Sequence, residues 1–598
     1  MAKRAESCAK GRLVVAITLL LVLTTCQRGS RQWDQFVEQF IDGFARQHPV
    51  WAVSTGLHQF DGQLPDFSLV ALQTEVVWLR AQQRLVENFD GASLSEPQRR
   101  EREYALAVIA GQLFWLETAG WPLKNPSYYA GALSPDVYVN REYAPLDQRL
   151  RAYVAYARNV PEAVEHVRLN LRVPLPKTYV QLGRIQFGGL ARFLTEDIPG
   201  IFAPVEDEAL QAEFRVANDA AIEAFRELDA WFGRQEATAT DDYALGAEVF
   251  SEMLRVTQRV DVSLDSLEAI GRRDLERNLA ALEQACAELA PGQSIPDCIA
   301  WVQGHKPEEG PVQAARNQLA GLRQLLIDQE LVTIPGTEGA LVDESPPHRR
   351  WNAAYIDIPG PYEEGLPSTY YIAPPDPSWS DEEQRAYIPG EADLLFISVH
   401  EVWPGHFLQF LHANRSSSKF GQLFSTYSFT EGWAHYTEEL MWEAGLNDGD
   451  PATHIGQLLN ALLRNVRYLS AIGLHTQGMT VAESEKMFRE LAHQDPGNAR
   501  QQAARGTFDP GYLNYTLGKL MIRRLRADWT ASRGGREAWG AFHDAFLSYG
   551  SPPGSPGARG HAGCRQRAGT VSCRRWQTTA SPAGQSAERG VSDGPIAD

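Results

Sequence analysis

Ile397-Ser398-Val399-His400-Glu401-Val402-Trp403-Pro404-Gly405-His406 is followed, 25 residues after His406, by Glu431 in the run Phe429-Thr430-Glu431-Gly432-Trp433-Ala434. Two histidines and a glutamate at the end of an apolar run, with a second glutamate on the next segment, suit a Zn²⁺ site. Two imidazoles and one carboxylate can bind the ion, and one carboxylate is left to act on water. On a regular helix the second imidazole belongs four residues after His400, but that position is Pro404. Proline has no N–H for the His400 carbonyl, and its ring crowds that carbonyl. Continued as an ideal helix, at about 100° per residue, the chain points His406 away from His400. The stretch therefore predicts a broken metal-binding helix, with Gly405 permitting a turn that swings His406 back.

Outward from this stretch helical periodicity dominates. Trp33, Phe36, Val37, Phe40, Ile41 and Phe44 recur at helical spacing. Similar amphipathic stretches cover 68–90, 97–117, 148–172, 206–233, 245–260, 265–290, 311–331, 452–492 and 513–532. Strand-like alternation is scarce, and no fixed-period repeat marks a solenoid. The main interruption is 333–390, where prolines such as Pro346, Pro347, Pro359, Pro361, Pro374 and Pro375 block long helices. Loops and a few short strands are expected there, Tyr370-Tyr371-Ile372-Ala373 among them. The chain's 598 residues exceed what one hydrophobic core usually serves. Its 43% hydrophobic and 22% charged residues are globular in balance, and a net charge of −19 argues against nucleic-acid binding.

The run His400-Glu401-x-x-Pro404-Gly405-His406-x-x-Gln409, followed by Glu431-Gly432-Trp433-Ala434-x-Tyr436-x-Glu438, resembles the bacterial family labelled domain of unknown function 885. Members of that family are mostly predicted lipoproteins grouped with zinc metallopeptidases of the gluzincin type. His48-Pro49-x-x-Ala52-x-x-x-Gly56-x-His58, Arg464-x-x-Arg467 and Gly473-Leu474-His475 add to the resemblance. So does Asp509-Pro510-Gly511-Tyr512-x-x-Tyr515-x-x-Gly518-Lys519, and together they span roughly 32–550. The resemblance implies a mainly α, large multi-helical, zincin-like oligopeptidase architecture with a central cleft. The chain departs from the family at Ala471, where an Asp is usual, which removes an orienting partner for a nearby His or Arg.

By role, His400, His406 and Glu431 would be the Zn²⁺ ligands and Glu401 the general base. Glu438, two helical turns after Glu431 on nearly the same face, is expected behind the ligands or as a substitute for Glu431. His435 is either a rival ligand or a hydrogen-bonded neighbour. His475, Tyr512 and Tyr515 are candidate donors to the charge developing on the scissile carbonyl, by analogy with related peptidases. Arg464 and Arg467 either hold a substrate carboxylate or brace acidic helices. Tyr371 would lie on an edge strand beside the metal helix, where zinc peptidases bind extended peptides.

Residues 1–26 read as a signal peptide. Lys3, Arg4, Lys10 and Arg12 precede an apolar run, Leu13 to Leu23, too short to span a bilayer. Cys26 resembles the lipidation site of a bacterial lipoprotein, the alternative being an ordinary secretory signal. Either puts residues 27–550, a helical metallopeptidase-like domain with its metal-site half at about 365–550, outside the cytoplasm. Cys286 and Cys298 are then either a short-loop disulfide or two free thiols. Residues 551–598 contain no Leu, Phe or Lys and hold six Arg against three acids, the composition of a disordered or out-of-frame tail. The expected function is zinc-dependent hydrolysis of peptide bonds in short peptides by an envelope protein facing the periplasm, or a secreted one. The other readings are a non-catalytic lipoprotein that binds peptide or metal, and a metal-assisted hydrolase of non-peptide amides or esters.

Overall fold

A computed structural model describes residues 29–554, except 347–348, 351–352, 364, 376 and 378, together with 571–572. The described residues form a mainly helical body with one small three-stranded sheet. Most anticipated helices appear within a few residues of their expected ends, among them Leu69–Glu87, Leu146–Asn170, Glu208–Gln235, Leu264–Leu289 and Asn514–Thr530. The 452–492 stretch is two helices, Pro451–Thr476 and Val481–Leu491, the second opened by a capping box between Thr480 and Glu483. Helix Lys177–Glu196 has no counterpart in the sequence reading. It follows two prolines and carries three glycines, yet buries Tyr179, Phe187 and Phe193.

That helix, Leu146–Asn170 and Glu208–Gln235 share a core around Tyr153, Tyr156, Phe187, Phe202 and Phe225. Each such side chain contributes roughly 1.5–3 kcal/mol on leaving water. The amphipathic helix at 29–47 packs Phe40 and Phe44 against Phe420 and Phe424, bracing the approach to helix Tyr427–Glu443. Cys286 and Cys298 form a disulfide across the turn between helices Leu264–Leu289 and Ile295–Gly304.

The sheet is built from β1 (Ala340–Glu344), β2 (Ala354–Asp357) and β3 (Ser368–Ile372), in the order β1-β3-β2. β1 runs parallel to β3 and β2 antiparallel to it. Tyr371 is therefore on the central strand, which corrects its placement on a substrate-binding edge: both sides of β3 are already hydrogen-bonded. The free edge beside helix Glu391–Glu401 belongs to β2, whose Tyr355 ring lies 5.2 Å from that of Tyr371. The loop after β2 is held by Arg141, which pairs with Asp357 at 2.9 Å and Glu363 at 2.7 Å. His58 reaches the same Glu363 at 3.5 Å.

Helices Tyr427–Glu443 and Asn514–Thr530 cross at backbone contact. A Cβ on Gly518 would lie 1.9 Å from the Ser428 carbonyl oxygen, so only glycine permits the approach that carries Tyr515 and Lys519 to the centre. Lys519 is fully buried and pairs with Asp274 at 2.8 Å, while Arg277 joins Asp274 and Glu439. No helix of the described residues is long and apolar enough to cross a membrane. The fold reaches Ser551, which is buried and accepts from Gln409 and, at its carbonyl, from Tyr104. Cys26 with the rest of 1–26, and the tail from 555 apart from 571–572, lie outside the described residues.

Candidate metal centre

Helix Glu391–Glu401 ends just after His400, and a new helix, His406–Ala413, starts at His406. Between them Gly405 is pressed onto the first helix: its N–H donates to the Val399 carbonyl at 3.0 Å, and a Cβ there would sit 1.8 Å from the His400 carbonyl oxygen. The loop is also held from the second motif, because the Trp433 indole N–H donates to the Pro404 carbonyl at 2.8 Å. The break thus turns His406 back towards His400, and their rings lie 4.8 Å apart, nearly perpendicular.

Glu431 completes the cluster. Its Oε2 is 3.4 Å from the Nε2 of His400 and 3.4 Å from the Nε2 of His406. The ligand-capable atoms of these three residues lie within 4.8 Å of one another. That oxygen has no hydrogen-bond partner although it is buried. His400 donates Nδ1–H to Glu438 at 2.7 Å, which turns its Nε2 towards Glu431. Glu438 is fully buried, also accepts from His435 at 3.1 Å, and forms an ion pair with Arg464 at 3.2 Å. Two nitrogens and one carboxylate, with one imidazole oriented from behind by a carboxylate, fit a zinc ion.

Electrostatics follow the packing. Burial opposes a charge on His400, but the nearby carboxylates of Glu431 and Glu438 raise its pKa to about 9. Burial likewise opposes ionisation of Glu431, and His406 and His400 hold it well below the ordinary carboxylate range. His435 is lowered to about 4, by burial first and by Lys519 next, so it stays neutral. Glu401, the last residue of its helix, is half-buried and forms no hydrogen bond or ion pair among the described residues.

The other sequence candidates separate. Tyr515 belongs to the centre: its ring is 6.3 Å from that of His400 and nearly parallel to it. His475 does not serve as a donor there. Its Nε2 donates to the Gly506 carbonyl at 2.8 Å and its Nδ1 accepts from Leu245 N, so both nitrogens are occupied by backbone. The Tyr512 hydroxyl is buried and donates to Ser470. Arg464 braces Glu438, whereas Arg467 meets no acid among the described residues. His435 bonds Glu438 and stands behind the ligands. Sequence reading missed Tyr427 and Arg505, which bond each other and Asp509 beside Tyr515. Tyr427 precedes Glu431 by four residues, so helical spacing could have flagged it.

Residues 49–555 match the family described as Bacterial protein of unknown function (DUF885). No curated protein matches the chain. It is similar in structure to a candidate lipoprotein of unknown function from Shewanella oneidensis, with 24% identity and a TM-score of 0.71 over 87% of this chain and 98% of that one. A candidate lipoprotein from Colwellia psychrerythraea is similar too, with 15% identity and a TM-score of 0.75 over 88% of this chain and 97% of that one. At these identities the likeness is one of fold.

Proposed function

Because the chain belongs to the bacterial DUF885 family, whose function is unknown, its chemistry has to be argued from the site, and we propose that it hydrolyses peptide bonds with a zinc ion. The observation that carries this reading is the convergence of His400 Nε2 and His406 Nε2 on Glu431 Oε2, each at 3.4 Å, beside an uncommitted Glu401. His400, His406 and Glu431 would hold the ion, with Glu438 fixing the His400 ring. Zinc supplies Lewis acidity towards a carbonyl and makes water more acidic.

Glu401 would take the proton of the attacking water and return it to the leaving amine. Tyr515, with Arg505 at its hydroxyl, would donate to the oxygen on which charge develops. Burial of His400, His435 and Glu438 excludes bulk water and strengthens each of these interactions. The zincin-like architecture and the preference for short peptides belong to this proposal and rest on the resemblance in the motifs. So does an extracytoplasmic site, lipid-anchored through Cys26. The Cys286–Cys298 disulfide and the candidate lipoproteins among similar structures support that location.

Elemental analysis of protein purified without chelator, combined with a peptide hydrolysis assay, tests the reading. Near one zinc per chain is expected, lost in His406→Ala and retained in Glu401→Gln, which should be inactive. A zinc-free wild type that takes up none on addition, or full activity in Glu401→Gln, refutes it.

A further inference from the structure

Three guanidinium groups gather around Tyr515, and among the described residues only two have acids. Arg464 pairs with Glu438 at 3.2 Å and Arg505 with Asp509 at 2.9 Å. Arg467 is 8% exposed, its guanidinium carbon 5.0 Å from the Tyr515 ring centre. Its Nε donates to Gln502 Oε1 at 2.9 Å. Its two terminal nitrogens have no partner among the described residues and remain reachable by solvent. One helical turn on, where a carboxylate would neutralise it, stands the buried Ala471.

A buried charge without a counter-charge is costly, and a planar fork of N–H groups suits a carboxylate. With a dication at Glu431, this side of Tyr515 would carry an excess of positive charge. We infer that Arg467 is the anchor for a substrate carboxylate, and that the chain acts on peptides close to a free C-terminus. This deepens the hydrolase reading above and rests on it for the bond that is cut. Tyr515 bridges the two groups, 6.3 Å from the His400 ring and 5.0 Å from the Arg467 guanidinium. Those distances cap the gap at about three extended residues. The released fragment is therefore a single amino acid, a dipeptide or at most a tripeptide.

The test is calorimetric titration of the full chain, in the Glu401→Gln background to prevent turnover, with acetyl-trialanine and with acetyl-trialanine amide. Each is run with zinc and after EDTA, because the EDTA arm removes direct ligation of the carboxylate by zinc. The acid should bind at least about tenfold tighter than the amide in both arms. Arg467→Met should erase the difference, and Arg467→Lys, which keeps the charge and loses the fork, should retain only part of it. Since a buried methionine can disturb folding, Ala471→Asp serves as a second variant. It leaves Arg467 intact, supplies the missing carboxylate, and should abolish the acid preference as well.

Equal binding of acid and amide, or an acid preference that survives in a folded Arg467→Met protein, overturns the inference. Acetyl-Ala-Ala-Glu amide binding as tightly as the acid would overturn the assignment to a C-terminus, because a side-chain carboxylate would then suffice. A protein that never takes up zinc yet keeps the acid preference supports the anchor while removing the hydrolase reading, so the two fail separately.

Discussion

Replacing Gly405 by alanine acts on the geometry that makes the centre. Gly405 sits at φ −70°, ψ −131°, just before the His406 helix. An added Cβ would lie 1.8 Å from the His400 carbonyl oxygen and 2.5 Å from that of Val399. Carbon and oxygen in contact need about 3 Å, so the 402–406 loop would have to retreat by roughly 1 Å. Both obstacles are backbone of the metal helix, so no side-chain rotation relieves the clash. Retreat would break the Gly405 N–H bond to Val399 and loosen the Trp433 bond to Pro404. Two buried hydrogen bonds at about 1 kcal/mol each, with some residual strain, make a destabilisation of about 3 kcal/mol. Metal–ligand distances tolerate only about 0.2 Å, so His406 would leave coordination range and zinc affinity should fall by about 100-fold or more. Competition against a chromophoric chelator reads the affinity, and urea unfolding in EDTA reads the stability. Unchanged zinc affinity in a folded Gly405→Ala protein would refute the claim that this close approach returns His406 to the site.

Glu438→Gln removes the charge that orients His400, His435 and Arg464, and zinc affinity in the same assay should drop about 10- to 100-fold while the three ligands remain. Burial opposes protonation of His58, but its bonds to Asp61 and Glu363 raise it from 6.5 to about 9, so its stabilisation is complete below pH 6.5 and is lost as pH rises through about 9. The ring is partly exposed, which trims the effect to roughly 1–2 kcal/mol, seen as a gap between wild type and His58→Gln at low pH that closes at high pH. A gap of the same size at both ends of that range would remove His58 as its source. The Cys286–Cys298 bond spans 12 residues, so replacing both with serine should cost about 3 kcal/mol in urea unfolding, and no change would mean the bond is not formed in the purified protein.

The helices were legible because their burial is periodic. Leu150, Tyr153, Val154, Ala157, Val160 and Val164 are buried along Leu146–Asn170 at the spacing seen in the sequence. Helix Lys177–Glu196 was not, since glycines at 183, 188 and 189 weaken the local signal and tertiary packing decides the outcome. At the site, Pro404 announced the break because proline cannot continue that helix, and Glu438 was reachable by counting seven residues from Glu431. The indole that pins the break, the backbone groups that occupy His475 and the strands that enclose Tyr371 come from segments distant in sequence. No local pattern encodes them, and the residues misplaced by sequence reasoning, His475, Tyr512 and Tyr371, are those whose roles depended on such partners.

Buried charge is treated differently at Lys519 and at the centre. Lys519, fully buried, is answered by Asp274, and Asp274 in turn by Arg277 and Asn465. Around Glu438 the same chain leaves Glu431 Oε2, His406 Nδ1, His435 Nε2 and Arg464 Nε buried without partners. Each unsatisfied group costs about 1–3 kcal/mol, and a fold that satisfies Lys519 so fully has the means to satisfy these. Other buried atoms without hydrogen-bond partners, Glu75 Oε1 and Glu363 Oε1 among them, are spread over the fold. The four here lie together beside Glu401 and Tyr515, as a site for a cation and a substrate requires, because groups already committed to one another would have to be pulled apart before either could bind. Arg467 extends that logic to one side, where Ala471 gives up the carboxylate that would have closed its fork.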